Sequence, residues 1–273
     1  MTKFRVLLTN DDGIYAPGIK ELGRALSKRN FDVTVMAVEF QRSGDSKAIT
    51  FNEPVRIKEV NLKYVNKKGF MISGTPADAV IHAIHHYRND ENTKPFDLVI
   101  SGINAGENTS LHSILTSGTC AAAFESAFLG IPAIAFSLDV DEEHFFNENV
   151  KGLPFDIAAE RAVDIVEWTL QNEWPEKVGF INVNFPKHVT IETKAKITPL
   201  EIQKYRDYTI ERKDPRGQKY YWIWGDRVTM NPETDAHTVI VENLISIAPI
   251  SLELIASNTE LLASMKELYK QFE

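Results

Sequence analysis

FRVLLTNDDGIYAPGIKELGRALSKRNFDVTVMAV, residues 4–38, is the stretch that decides the fold. Residues 4–9 form a short apolar run with Val6, Leu7 and Leu8, as a strand buried on both faces requires. The run stops at Asn10-Asp11-Asp12-Gly13, a cluster of turn formers. Pro17 suits the first position of a helix, and Ile19, Leu22 and Leu26 then recur on one face. Residues 32–38 read as the second strand, with Val33, Val35, Ala37 and Val38. Strand, helix and strand at this spacing predict a βαβ unit: a parallel pair joined by a right-handed crossover.

The same alternation continues. Residues 39–53 lack a period and contain Ser43, Gly44 and Ser46, so they read as a loop; residues 55–60 alternate apolar and charged, like a half-exposed strand. Thr75 is the expected N-cap of a helix opened by Pro76, with Ala79, Val80, Ala83 and Ile84 on its apolar face. DLVIS (97–101) is a buried strand that runs into a long polar loop, 102–116. Ser117-Gly118-Thr119 precedes a helix of small residues, 120–129. PAIAFS (132–137) and GFINVNF (179–185) read as strands on either side of a helix over 156–170. Residues 1–185 thus predict a Rossmann-like, doubly wound, mostly parallel α/β catalytic core. Beyond Pro186 the character changes. Residues 203–224 surround the turn Asp214-Pro215-Arg216-Gly217 and predict a long β-hairpin. A returning strand and an amphipathic helix over 259–272 complete residues 186–273, an oligomerisation arm continuous with the core. There are no internal repeats.

Composition excludes several classes. In 273 residues, 43% are hydrophobic and 25% charged, enough apolar material for a core and too much for a disordered chain. The net charge of -8, from 30 basic and 38 acidic residues, argues against nucleic acid as the main partner. An anionic substrate would need a local positive charge, which a metal ion can supply. The single cysteine, Cys120, excludes an intrachain disulfide and a multi-cysteine zinc site, and fits a reducing compartment. The opening MTKFRVLLTNDDG has too short an apolar run for a signal peptide, and no stretch reaches membrane-span length. The expected location is the cytoplasm, with no membrane partner.

Polar clusters recur where strands end. Asp11 and Asp12 follow the first strand, Ser43 and Gly44 the second, Asn104 and Gly106 the DLVIS strand, and Ser117-Gly118-Thr119 opens the next helix. Ligands of open α/β sheets sit outside those carboxyl ends. Adjacent carboxylates repel unless a cation lies between them. Two Asp, a Ser hydroxyl and an Asn amide oxygen offer only hard oxygen ligands, which suit Mg²⁺ or Mn²⁺. The alternative is that Asp11 and Asp12 only terminate a strand and cap a helix. Ser117-Gly118-Thr119 is a plausible phosphate seat, because free N–H groups and the helix dipole favour an anion there; it also reads as an ordinary N-cap.

Other motifs carry less. GFMISGT (69–75) lacks the Lys of a phosphate loop, and no G-x-G-x-x-G follows the first strand. His82, His85 and His86 have helical spacing without the Glu of a metalloprotease motif, and read as a helix face. His112 lies in the polar loop, and Cys120, among alanines, reads as a packing residue. The 203–224 arm interleaves bases with Tyr and Trp, which nucleic acid can use, but Asp207, Glu211 and Asp214 dilute its charge. Burial against another subunit is the preferred reading.

Taken together, LLTNDDGIYAPGI, RSGDSKAIT, SGTPADAV, DLVISGINAGEN, SGTCAAAFESAFLGIPAIAFS, NVNFP and DPRGQKYYWIWGD resemble the survival protein SurE family, in order and across nearly the whole chain. The resemblance implies a metal-dependent nucleoside monophosphate phosphatase: a 5′-nucleotidase, with 3′-nucleotidase activity also within the family's range. It implies one divalent cation per subunit, Mg or Mn, on Asp11, Asp12, Ser43 and Asn104. It places Gly44, Asn104, Ser117, Gly118 and Thr119 at the substrate phosphate, with Asp11 and Ser117 catalytic. It also implies that the hairpin and C-terminal helix are exchanged between subunits of a homodimer, which can assemble further to a tetramer. Two segments depart from the family pattern. AVEFQRSG stands where A-P-D-R-x-R-S-G is usual, and Thr116 stands where an aromatic or His is common. The rival reading is a receiver-like, Mg-binding signalling module. That class needs a phospho-accepting Asp at the end of a later central strand, where this chain has Ser101-Gly102.

Overall fold

Alternate residues of β1 (Arg5–Thr9) feed two separate cores: Val6 and Leu8 face one, Leu7 the other. A strand covered by helices on both sides must do this, because its side chains alternate with a period of two. The computed structural model describes residues 3–88, 94–141 and 152–253. The predicted helix over 259–272 lies outside them.

α1 (Pro17–Lys28) follows β1 and leads to β2 (Asp32–Val38), which pairs with β1 in parallel. β3 (Ile57–Leu62) and β4 (Lys67–Ile72) form an antiparallel pair, and β4 also runs parallel to β2. α2 (Pro76–Arg88) returns the chain to β5 (Leu98–Ala105), on the other side of β1. Then come α3 (Leu111–Thr116), α4 (Gly118–Phe128), β6 (Ala133–Leu138), α5 (Phe155–Gln171) and β7 (Phe180–Phe185). β8 (Ala195–Ile197) precedes the ribbon of β9 (Tyr205–Lys213) and β10 (Lys219–Arg227), after which α6 (Asp235–Ile240) leads to β11 (Ile245–Ile250). Among the described residues the main sheet has nine strands, ordered β3-β4-β2-β1-β5-β6-β7-β11-β8. β11 is antiparallel to β7 and parallel to β8. The sheet therefore draws strands from beyond Pro186 as well as before it.

α1 packs on α5 over one face of the sheet, and α2 on α4 over the other. Ile19, Leu22 and Leu26 of α1 are fully buried, as their spacing predicts. Truncating one such residue, Leu22→Ala, would cost about 2–5 kcal/mol through lost burial and the cavity left behind. The start of α2 is a reciprocal cap: Asp78 N donates to Thr75 Oγ1 (3.1 Å), and Thr75 N donates to Asp78 Oδ2 (2.8 Å). Asp78 also accepts from Thr50 N (3.1 Å) and Thr50 Oγ1 (2.6 Å), which fastens the 39–53 loop to this helix.

The structure corrects one expectation and adds two elements that the sequence reading did not assign. The loop assigned to 102–116 is not continuous: β5 runs on to Ala105, with a register shift against β6 between Ser101 and Asn104, and α3 occupies Leu111–Thr116. Ile103 and Ile114 are the buried anchors of these two segments, and Ser110 caps α3 by accepting from Ser113 N (3.4 Å). β4 has no periodic signal, because KKGFMI mixes two exposed lysines with a buried glycine. Only its pairing with β2 and β3 makes it a strand. α6, at six residues, is too short to leave a helical period in the sequence.

Candidate active site

The order of strands reverses at β1. The chain leaves β1 toward β2 on one side and returns through α2 to β5 on the other. Loops diverge at such a reversal and leave a crevice beyond the carboxyl ends of the two strands. Thr9 of β1 is level with Ser101 of β5, so the segments after both strands emerge side by side.

The crevice opens into a cleft of about 200 Å³, whose lining includes Asp11, Ser43, Gly44, Asn104 and Ser117. Segments distant in sequence supply these groups, each held by backbone bonds. Arg42 N donates to Asp11 O (2.8 Å), bringing the Ser43 loop over the end of β1. Asn104 Nδ2 donates to Gly106 O (2.7 Å), which fixes the amide with Oδ1 as its acceptor atom. Asp11 is nearly inaccessible to solvent and accepts a short hydrogen bond from Thr119 Oγ1. Asp12 accepts from Ala105 N (3.0 Å) and Gln41 Nε2 (3.4 Å). Gln41 also donates to Ser43 Oγ (3.0 Å), tying the predicted serine to the carboxylate pair.

Ser117 both ends α3 and caps α4, with its hydroxyl accepting from Cys120 N (3.1 Å). The free N–H groups of α4 therefore begin at the cleft. Gly118 is required for this approach. A Cβ there would lie 2.7 Å from Asp11 Cβ and 2.8 Å from Asp11 Oδ2.

Burial raises the Asp11 carboxyl to about 6. Burial and the neighbouring Asp11 charge raise that of Asp12 to about 8. Burial is the larger cause for both, and the Asp11 charge adds to it at Asp12. Basic side chains that reach this edge are committed elsewhere. Arg42 pairs with Asp45 (3.6 Å) and donates to Ser73 O (3.0 Å), and Lys204 is buried on Glu107 (2.8 Å). Among the described residues neither Asp11 nor Asp12 has an ion-pair partner. Asn10 Oδ1, beside them in sequence, is buried without a donor. The acceptor-rich, cation-poor edge fits a hard divalent ion with oxygen ligands.

The predicted residues fall into two groups. Asp11, Ser43, Gly44, Asn104 and Ser117 border the cleft. Asp12, Gly118 and Thr119 lie next to these in the chain and outside the cleft lining, and the Thr119 side chain is spent on Asp11. Glu107, Asn108 and Thr116 also border the cleft. Their segment reads in the sequence as a long polar loop in which Thr116 stands out as a departure from the family pattern, and Glu107 and Asn108 are given no role there. Asn182 and Asn184 of β7 hold this segment from below: Asn184 Oδ1 accepts from Asn108 N (2.8 Å), and Asn182 Nδ2 donates to Asn108 O (2.9 Å). The groups set aside remain outside the cleft lining. His86 packs on Phe70, and His112 Nε2 lies 4.0 Å from Asp207. The Cys120 thiol is fully buried and pushed up to about 12, as a packing residue would be.

A family model described as Survival protein SurE matches residues 6–207. Curated relatives carry the name 5′-nucleotidase SurE. The protein from Hyperthermus butylicus is 39% identical over 250 residues, which is 92% of this chain and 86% of that one. The protein from Thermococcus gammatolerans is 41% identical over 253 residues, which is 92% and 91% of the two chains. The crystal structure of the Sure protein from Aquifex aeolicus superposes with a TM-score of 0.77 at 34% identity, covering 97% of this chain and 99% of that chain.

Proposed function

Because the chain belongs to the survival protein SurE family, we propose that it is a metal-dependent 5′-nucleotidase, a hydrolase that releases phosphate from nucleoside monophosphates. The observation that carries the proposal is the uncompensated Asp11–Asp12 pair at the β1/β5 reversal, directly against the amino end of α4. The receiver-like alternative has no support: β5 continues through Gly102, Ile103 and Asn104 and offers no Asp for phosphorylation.

Asp11, Asp12, Ser43 and Asn104 form the donor set for one divalent ion per subunit, Mg²⁺ or Mn²⁺. When bound, such an ion polarises the phosphoryl group and acidifies water. Ser117 and the N–H groups of Gly118 and Thr119, with Gly44 and the Asn104 amide, seat the phosphate oxygens. Preorganised donors of this kind stabilise charge that develops in the transition state. Thr119 fixes one Asp11 oxygen, and the other orients the attacking water and accepts its proton. The water oxygen bonds to phosphorus as the ester P–O bond breaks, the leaving ester oxygen takes a proton from solvent, and Asp11 later returns its own proton to solvent, so that nucleoside and phosphate are released.

Two further readings accompany this one. The exposed aromatic face of the β9–β10 ribbon supports a homodimer formed through the hairpin. The lone, buried Cys120 supports a cytoplasmic location, and among the described residues no helix is long and apolar enough to cross a membrane.

Phosphate release from a panel of nucleoside monophosphates, with EDTA and with Mg²⁺ or Mn²⁺ restored, tests the proposal. EDTA-sensitive hydrolysis is expected; no hydrolysis of any member under any metal condition would remove the assignment.

A further inference from the structure

A second cavity, of about 390 Å³, adjoins the metal cleft. The two share Glu107, Asn108 and Thr116, which form their common border. One end is polar and acidic. The other is closed by the root of the β9–β10 ribbon, where Tyr205, Ile223 and Trp224 supply apolar surface. β10 is an open edge of a two-stranded ribbon, so its consecutive residues Ile223, Trp224 and Gly225 all border the space.

The lining is unusual for an exposed hairpin root. Ile223 is 78% exposed and Trp224 46%, although both stand beside a deep polar site. Gly225 keeps the wall flat, since a Cβ there would come within 3.0 Å of both Asp207 Oδ1 and Tyr205 Cβ. Asp207 and Ser113 join Glu107, Asn108 and Thr116 as polar lining groups that can orient a ligand against the apolar hairpin wall. The hairpin root is held rigidly against the cleft. Lys204 Nζ donates to Glu107 Oε1 (2.8 Å), Glu107 O (3.1 Å) and Thr109 Oγ1 (3.3 Å), all within the protein interior.

We propose that this cavity is the nucleoside subsite, in which the ribose crosses the Glu107–Thr116 junction and the base lies against Trp224, Tyr205 and Ile223. The inference rests on the phosphatase reading and adds to it how the substrate's organic half is held. Recognition by the face of a base tolerates all bases, because every base has a π-face. The hairpin root then makes the enzyme selective for nucleotides over base-free phosphomonoesters.

The test compares adenosine 5′-monophosphate with ribose 5-phosphate, which keeps the sugar and the phosphate and lacks the base. Trp224→Ala is expected to raise KM for the nucleotide about tenfold while kcat holds, the pattern of lost uniform binding. The ratio of kcat/KM for nucleotide to that for ribose 5-phosphate should fall by the same factor. Ile223→Ser, at an exposed position, should move the ratio in the same direction. Trp168→Ala, at an exposed position on α5 outside the lining of both cavities, should leave the ratio at its wild-type value. An unchanged ratio in both hairpin variants overturns the subsite. Equal losses on the two substrates also overturn it, because they assign the hairpin to phosphate handling. If the wild type hydrolyses neither ester with metal present, the phosphatase reading itself fails.

Discussion

Two adjacent aspartates at a strand end are an ordinary turn until their environment is known. Burial holds both carboxyls above the usual range near 3.8, and the Asp11 charge raises Asp12 further. A raised carboxyl in the folded state means that the folded chain keeps protons the unfolded chain has lost. Between about pH 4 and pH 8, the pair's contribution to stability therefore falls as pH rises. In metal-free protein, Asp12→Asn should remove part of this loss, so thermal melts of variant and wild type should diverge as pH rises from 5 to 8. Added metal should reverse the order, since wild type alone keeps the full ligand set. Apparent metal affinity should climb over the same window, because the ligands must be deprotonated. Asp11→Asn should cut turnover by about 100-fold or more while circular dichroism shows an intact fold. Retention of full metal-dependent turnover would remove Asp11 from the site. Asp11, Asp12, Ser43 and Asn104 were all legible in the sequence as oxygen donors at strand ends. Gln41, which bonds both Asp12 and Ser43, was not, since its role exists only once the loop folds over β1.

α4 joins packing to chemistry at the scale of one element. Its first residues cap the helix, border the cleft and touch Asp11 together, so substitutions there should separate these duties. Ser117→Ala loses the acceptor for Cys120 N and should cost about 1 kcal/mol in chemical denaturation, with a fall in turnover. Gly118→Ala brings a methyl group into Asp11, and the helix or the carboxylate must move. Its expected signature is weakened metal binding by calorimetry beyond any change in melting temperature. Normal affinity would mean that the contact is relieved elsewhere. Strongly periodic elements such as α1 and α5 could be read from the chain to within a residue or two. β4 and α3 could not. Lys67 and Lys68 lie exposed on β4, and one turn and a half of helix with a single buried residue leaves no pattern.

At the scale of the whole molecule, the β9–β10 hairpin carries the largest run of exposed aromatic residues among the described residues. Tyr220, Tyr221 and Trp222 are 43%, 59% and 62% exposed, a cluster of aromatic surface that a second copy of this chain would cover. Trp222→Lys with Tyr220→Lys should shift light-scattering mass from dimer to monomer. An unchanged mass would place the subunit contact elsewhere. The ion pair of Lys204 and Glu107, which ties the hairpin root to the cleft, should be costly to break. Lys204→Ala leaves a buried carboxylate without its partner and is expected to cost about 3–5 kcal/mol. Local periodicity and residue chemistry are enough to write down the βαβ alternation, the parallel core and the oxygen-rich set at the strand ends. The pairing of β1 with β5 at the reversal, the contact by which Gly118 brings α4 against Asp11, and the hairpin root that walls a second cavity beside the first emerge when the chain has folded. Those facts depend on contacts between residues up to about a hundred positions apart, for which periodicity carries no signal.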